Sequence, residues 1–180
     1  MQKPGRYTRE GKIQTPLTEE DFQDGMENGK FVEPLHRAYC VLLYYSAVRS
    51  TEARRVMREQ FQLTRSAIMF EVGQRLKHSA KTPALKIPYR APYVSELKQA
   101  IENTRTGERV FPFCDKTGYN IVRRAFKYPH LFRLSRITNF FLEGWTIAQV
   151  RSWTGLSLAA LNFYVGLVDI AKMGESLAKH

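Results

Sequence analysis

The chain has 180 residues, 43% hydrophobic and 12% aromatic, which suffices for the core of one folded domain and excludes a globally disordered protein. Its 28 lysines and arginines exceed its 17 acidic residues, and the formal net charge of +11 favours a polyanion, most often nucleic acid, as partner. No apolar run could span a bilayer, no secretory signal opens the chain, and two cysteines make no disulfide framework, so we expect a cytoplasmic protein without a membrane partner.

The first third predicts a flexible arm over residues 1–16 and then three helices. Thr18 followed by acidic residues is typical of a helix N-cap, and this helix should end near Gly29. A second helix from Pro34 keeps an apolar face at helical spacing and should bury the Cys40 thiol. Arg49 lies at the break after it, and a third helix over residues 52–57 should be capped by Ser50 or Thr51.

The middle of the chain changes to a pattern typical of strands. Residues 62–73 predict one strand and Leu85–Pro88 a second, joined by a turn over residues 74–82. This hairpin has a basic tip, formed by Arg75, Lys77 and Lys81. Ten basic and three acidic residues lie between Arg49 and Arg90, so the region predicts a basic surface.

The remaining elements are helices. One is expected over residues 93–104, capped by Pro92-Tyr93 and Ser95, and a basic one over residues 118–128. Three more should follow, the first ending at Gly144, the second starting at Thr146 and stopping at Gly155, the third covering Ser157–Val165, with a tail over residues 167–180. The sequence therefore predicts an α+β fold that is mainly α-helical, with a small antiparallel sheet.

A few residues have the chemistry to act on a phosphate. The Arg49 guanidinium suits a phosphate, and His130 and Arg133 share one helix face at a spacing of three. Lys81, or Lys77, could protonate a leaving oxygen, and Tyr164 could be a nucleophile if cations lie nearby. Taken singly, each has a plainer interpretation as a surface, hydrogen-bonding or packing residue. No glycine-rich phosphate loop, zinc-ligand spacing or Ser-His-Asp set competes with them.

In their order along the chain these residues resemble the motifs of the tyrosine recombinase (phage integrase) family. The run Leu42–Ala53 is similar to its first arginine motif, Ser79–Thr82 with Ile87-Pro88 to its lysine hairpin, and His130–Arg133 to its His-x-x-Arg motif. Tyr164 follows Arg133 by 31 positions, a separation typical of the family. The resemblance covers roughly residues 17–166, which we therefore expect to form the catalytic domain.

The resemblance implies a role for each residue. Arg49 and Arg133 would hold the scissile phosphate, His130 would act as a base or positioning group, and Lys81 (alternatively Lys77) would be the general acid. Tyr164 would form a 3′-phosphotyrosine link to double-stranded DNA, without metal or cofactor. Further DNA contacts are expected from basic side chains: Arg54, Arg75, Lys77 and Arg136. The family also implies a homotetramer on DNA, in the nucleoid or in the host cell of a virus or plasmid.

Two departures from the family pattern and one other interpretation remain. Gly155 lies nine positions before the tyrosine, where the family usually has His or Trp, and Trp153 could substitute for it. Residues 1–16 are too short for the family's N-terminal DNA-clamp domain, so we expect a fragment or a chain without that domain. The segment 144–165 also has the pattern of a helix-turn-helix, so a non-catalytic DNA-binding protein is the alternative.

Overall fold

The computed structural model describes residues 16–72 and 84–177. In chain order these form α1 (Glu19–Asn28), α2 (Pro34–Ser46), α3 (Ser50–Ala53), β1 (Phe61–Leu63), β2 (Ala67–Phe70), β3 (Leu85–Pro88), α4 (Val94–Glu102), α5 (Asp115–Arg123), α6 (Pro129–Leu142), α7 (Ile147–Thr154) and α8 (Leu158–Leu177). The predicted fold class is confirmed, because the helices dominate and the strands form one small antiparallel sheet.

The first helix begins where the sequence predicts. The Thr18 hydroxyl accepts a hydrogen bond from the Asp21 N–H at 3.0 Å, and the Asp21 carboxylate accepts from the Thr18 N–H at 2.8 Å. This reciprocal pair satisfies backbone donors that the first turn of a helix otherwise leaves open. On the inner face of α1, the Phe22 ring stacks on Tyr44 of α2 with centroids 3.8 Å apart.

Helix α2 is the centre of the core, and α4 and α6 pack against it. Most of its residues are buried, including Cys40, whose predicted burial is confirmed. Burial raises the pKa of the Cys40 thiol well above its ordinary value.

The third helix and the first strand differ from prediction. Helix α3 ends at Ala53 rather than at residue 57, because Met57 pairs with Arg109 in an isolated antiparallel bridge. The single strand predicted over residues 62–73 is two strands. Thr64 closes the turn between them, since its N–H and its hydroxyl both donate to the Ala67 carbonyl, at 3.0 and 2.8 Å.

The sheet has the order β1-β2-β3, and β2 and β3 pair antiparallel as the predicted hairpin. Its inner face is apolar: Phe61 stacks on Phe70 at 4.7 Å, and Ile68 lies opposite Ile87 in the register. Phe70 also meets the edge of Trp153 at 6.1 Å, which places the sheet against the C-terminal helices.

The later helices keep the predicted order with shifted ends. Helix α4 is preceded by Tyr93 in a left-handed conformation (φ 61°), with no cap from Ser95. Helix α5 starts earlier than predicted, at Asp115, capped by the Cys114 sulfur. Helix α7 stops at Gly155 as predicted (φ 64°), whereas the end predicted at Val165 is wrong, because α8 continues to Leu177.

Candidate active site

Three helices begin at one open cleft of about 690 Å³. Its walls come from the starts of α3, α5 and α6: Arg49, Ser50, Thr51, Arg54, Asp115, Lys116, Tyr119, Tyr128, Pro129 and His130. We call this surface the Arg49 cleft. Helices α5 and α6 begin at it and direct the positive ends of their dipoles toward it, so the cleft is suited to an anion.

Arg49 is held at the rim of the cleft by Glu52. The Glu52 carboxylate accepts from the Arg49 backbone N–H at 2.7 Å and from its Nη1 at 2.9 Å. The Glu52 side chain is 5% exposed and that of Arg49 is 32% exposed. The carboxylate is therefore buried, and the guanidinium remains accessible from the cleft. The cap of α3 is therefore Arg49, not Ser50 or Thr51 as predicted, and the Ser50 hydroxyl instead bonds the Tyr39 hydroxyl at 2.8 Å.

Two buried side chains hold the loop that leads into Arg49. Arg133 donates from Nη1 to the Ala47 carbonyl at 2.5 Å and from Nη2 to the Thr154 carbonyl at 3.2 Å. Trp153 donates from Nε1 to the Ser46 carbonyl at 2.7 Å. Both residues are almost fully buried, at 2% and 1% exposure. Arg133 and Trp153 thus hold the backbone just before Arg49 from the interior side and thereby fix the position of Arg49 at the cleft.

His130 reaches the same cleft from another helix. It follows Pro129 at the start of α6 and is half-buried. One turn further, Arg133 points into the interior, so this one helix supplies both a lining residue and a supporting residue. The structure thereby brings Arg49 and His130, 81 positions apart in the chain, to one cleft.

The candidate DNA contacts lie in different places. Arg54 is at the Arg49 cleft, but its side chain is 11% exposed and contacts Asp115. Arg136 lines a separate cleft, and its guanidinium pairs with both carboxylate oxygens of Glu143 (2.5 and 3.1 Å) and lies 4.3 Å from the Phe140 ring centroid. Its role on DNA stays a prediction, and its donors already have partners.

Tyr164 lies in α8 and is 6% exposed. Its ring meets the Phe163 ring edge-on at 5.2 Å. It is not among the described residues that line the Arg49 cleft. In this conformation the candidate nucleophile is therefore packed in the core.

The candidate general acids, Lys81 and Lys77, and the predicted contact Arg75 lie outside the described residues. Gly155 is described, and its positive φ explains glycine at a helix end where a histidine or tryptophan would be strained. Trp153, the predicted substitute for the missing His or Trp, is buried and donates to the Ser46 carbonyl; its substitution for that residue stays a prediction. Within residues 16–72 and 84–177, no three His, Cys, Asp or Glu side chains are grouped to hold a metal.

Sequence reasoning missed part of the cleft wall. Lys116, Tyr119 and Tyr128 line it but were not predicted as site residues. Lys116 and Tyr119 lie at the start of α5. The sequence predicts a later start for this helix, because cysteine is not a usual N-cap residue. Here the Cys114 sulfur accepts from the Thr117 N–H, and the Thr117 hydroxyl and N–H lower the pKa of this exposed thiol.

Several solved structures share this fold. A XerH site-specific recombinase in a post-cleavage complex with a palindromic difH substrate has a TM-score of 0.65 and 17% identity, and the match covers 94% of this chain and 54% of that one. XerA recombinase has a TM-score of 0.61 and 18% identity, covering 88% and 63%. The integrase of mycobacterium phage Brujita has a TM-score of 0.60 and 16% identity, covering 91% and 60%.

These likenesses establish that the chain has the fold of the tyrosine recombinase catalytic domain, as the sequence motifs predict. The chain spans 54–63% of the length of these three proteins. No family model and no curated protein sequence matches it. In the described part of the chain, no helix has both the length and the apolar character to cross a membrane.

Proposed function

We propose that the chain is the catalytic part of a site-specific DNA recombinase or integrase. One observation carries this proposal: Arg49 and His130 line a single anion-suited cleft, and Arg133 supports it from behind through the Ala47 carbonyl. Side chains from separate motifs thus converge at the place where a phosphate would bind. The partner is double-stranded DNA, which the net charge of +11 also favours.

The proposed reaction exchanges one phosphodiester for another. The Tyr164 oxygen attacks the phosphorus, the bond from phosphorus to the 5′ oxygen breaks, and a 3′-phosphotyrosine forms. Arg49 stabilises the charge that develops on the phosphate oxygens, and His130 takes or orients the phenolic proton. Arg133 is 2% exposed, so on this proposal it contacts the phosphate only after the rearrangement that also brings Tyr164 to the cleft. Lys81, or Lys77, gives a proton to the departing 5′ oxygen. Because the phosphoester is conserved, the strand can be rejoined by the reverse reaction without ATP.

The burial of Tyr164 adds a conformational step. A phenol that is 6% exposed cannot reach a DNA phosphate, so the segment of α8 that carries it must move toward the Arg49 cleft when DNA binds. We place this activity in a homotetramer on DNA, in the cytoplasm of the cell or of a host cell. The segment 167–180, which continues α8 as far as Leu177, would serve as a tail. The contact of such a tail with a neighbouring protomer is part of the proposal.

The decisive experiment is a covalent trapping assay. The chain is incubated with nicked duplexes from the junctions of its own genetic element, where the short cleaved strand diffuses away and prevents rejoining. We expect a protein–DNA adduct that survives denaturant and is lost in Tyr164→Phe. If Tyr164→Phe still forms the adduct, the nucleophile is another residue. If the wild-type chain binds these duplexes and forms no adduct, the alternative of a non-catalytic DNA-binding protein is correct.

A second experiment assigns the general acid. A thiolate leaves without a proton, so a duplex with sulfur in place of the 5′ bridging oxygen should restore cleavage to a variant that lacks the acid. We expect rescue of Lys81→Ala and no rescue of Arg49→Ala, which serves as the control. Rescue of Lys77→Ala instead would move the role to that lysine, and rescue of neither would reject the hairpin assignment.

A further inference from the structure

The floor of the Arg49 cleft contains a nearly covered arginine. The Arg54 side chain is 11% exposed and donates from Nη1 to the Phe113 carbonyl at 3.2 Å. Its Nη2 contacts the Asp115 carboxylate, and its Nε is buried without a hydrogen-bond partner among the described residues. Among the described residues, this guanidinium has one carboxylate for its charge pairing.

That carboxylate lies where an incoming anion would go. Asp115 is the first residue of α5, its side chain is 81% exposed, and it lines the cleft with Arg49 and Lys116. A negative charge at this point opposes the binding of a phosphate in the same cleft. In the described part of the chain it is the one carboxylate that contacts Arg54.

We propose that Arg54 is a phosphate-binding residue and that, without DNA, Asp115 occupies the place of a DNA backbone phosphate. The ligand is a phosphodiester of the strand in the cleft, next to the one that Arg49 holds; this identification rests on the proposed function. An arginine N–H donates to a carboxylate oxygen and to a phosphate oxygen alike, and here Nη2 is the donor that passes from one anion to the other. Exchange of one anion for the other keeps a buried cation paired throughout.

The exchange is feasible because the two partners differ in burial. Asp115 is mostly in solvent, so its side chain can rotate away from Arg54 and still remain in the first turn of α5, where a negative charge interacts well with the helix dipole. Arg54 is fixed by Phe113 and stays in place. The competing interpretation is a purely structural ion pair that ties α3 to α5.

Affinity for DNA separates the two interpretations. Binding of a labelled duplex is measured by fluorescence anisotropy over a range of salt concentrations, with the full chain carrying Tyr164→Phe so that cleavage cannot contribute. We expect Asp115→Asn to bind at least about fivefold more tightly, with a salt dependence steeper by about one phosphate. The matched control is Glu20→Gln, which removes the same charge from an exposed first-turn position of α1, away from the cleft.

Coupling to Arg54 is tested in a double-mutant cycle. In an Arg54→Gln background the gain from Asp115→Asn should disappear, because the phosphate has lost its partner. If Arg54→Gln does not fold, as judged by thermal melting, Arg54→Lys replaces it; the charge remains but the Nη2 donor is lost, and the gain should shrink.

Two results would overturn the proposal: a gain for Asp115→Asn no larger than for Glu20→Gln, or a gain that persists when Arg54 is replaced. The readout is binding and not cleavage. A chain that shows the coupled gain but no covalent adduct would therefore keep the phosphate site and reject only the recombinase chemistry.

Discussion

Two hydrogen bonds, one from Arg133 of α6 and one from Trp153 of α7, connect these helices to the loop before Arg49. The Ser46 and Ala47 carbonyls accept from side chains 107 and 86 positions away. Ala47 adopts a left-handed conformation (φ 56°) that ends α2 at this point. A buried carbonyl without a hydrogen-bond donor lowers the free energy of unfolding, so removal of either donor should destabilise the loop before Arg49.

Trp153→Phe tests this connection. The change removes the indole N–H and leaves the Ser46 carbonyl unpaired, so we expect a loss of about 1–3 kcal/mol in the free energy of unfolding, measured in urea. Adduct formation should fall in parallel. Trp145→Phe is the control, because Trp145 stacks on Phe140 and is only half-buried. Equal losses in the two variants would mean that ring volume, not the hydrogen bond, is responsible.

The two cysteines should react very differently with an alkylating agent. Hydrogen bonds from Thr117 lower the pKa of the exposed Cys114 thiol, whereas burial raises that of Cys40. A lowered pKa means that thiolate forms at lower pH, so alkylation of Cys114 should accelerate below the pH at which a cysteine in an unfolded peptide does. Mass spectrometry after a short iodoacetamide pulse, from about pH 6 to about pH 9, measures this. Labelling of Cys40 in the folded chain would contradict its burial.

Hydrophobic periodicity predicted the long helices well, and it predicted short helices, short strands and turns poorly. Helices α1, α2 and α7 begin or end at residues whose chemistry marks a cap, such as Thr18 and Gly155. The start of α5 was missed because a cysteine sulfur caps it, and the turn at Thr64 was missed because no glycine or proline marks it. Local patterns cannot reveal such cases, since the cap is an uncommon acceptor, the Cys114 sulfur, and the turn is closed by a threonine hydroxyl.

Close packing of α5 against α3 depends on Gly118. A Cβ at this position would lie 2.8 Å from Arg54 Cδ and 3.0 Å from the Tyr39 hydroxyl oxygen, both of which are held by other contacts. We expect Gly118→Ala to destabilise the fold by about 1–3 kcal/mol, because the core cannot accept the extra methyl.

The control for Gly118→Ala is Gly166→Ala in α8, where a Cβ would meet no atom of the described residues within 4 Å. There the change should stabilise the fold by about 0.5–1 kcal/mol, because alanine is a better helix former than glycine. Both values come from thermal or urea unfolding. A neutral Gly118→Ala would show that Arg54 can shift aside, and would weaken its assignment as a fixed residue of the cleft.

Over the whole molecule, the positive charge is used in two ways. Arg49 and Lys116 face the Arg49 cleft, whereas Arg37, Arg133 and Arg136 donate to groups on other elements of the protein: the Glu96 carboxylate, the Ala47 carbonyl and the Tyr45 carbonyl. The sequence predicts that Arg49 and His130 act together, because the order of the motifs contains that information. It cannot predict which arginines bond to the protein itself, because this depends on the tertiary positions of Glu96 and of the Tyr45 and Ala47 carbonyls.

The burial of Tyr164 has a consequence for the cell that would contain this protein. Tyr164 is 6% exposed, and on the proposed function it is an inactive nucleophile until a duplex rearranges α8. The unbound protein would then accumulate to high concentration without cutting DNA, since its phenol stays out of reach until a duplex binds. Damage to the genome would then be limited by a conformational equilibrium, rather than by the scarcity of the enzyme.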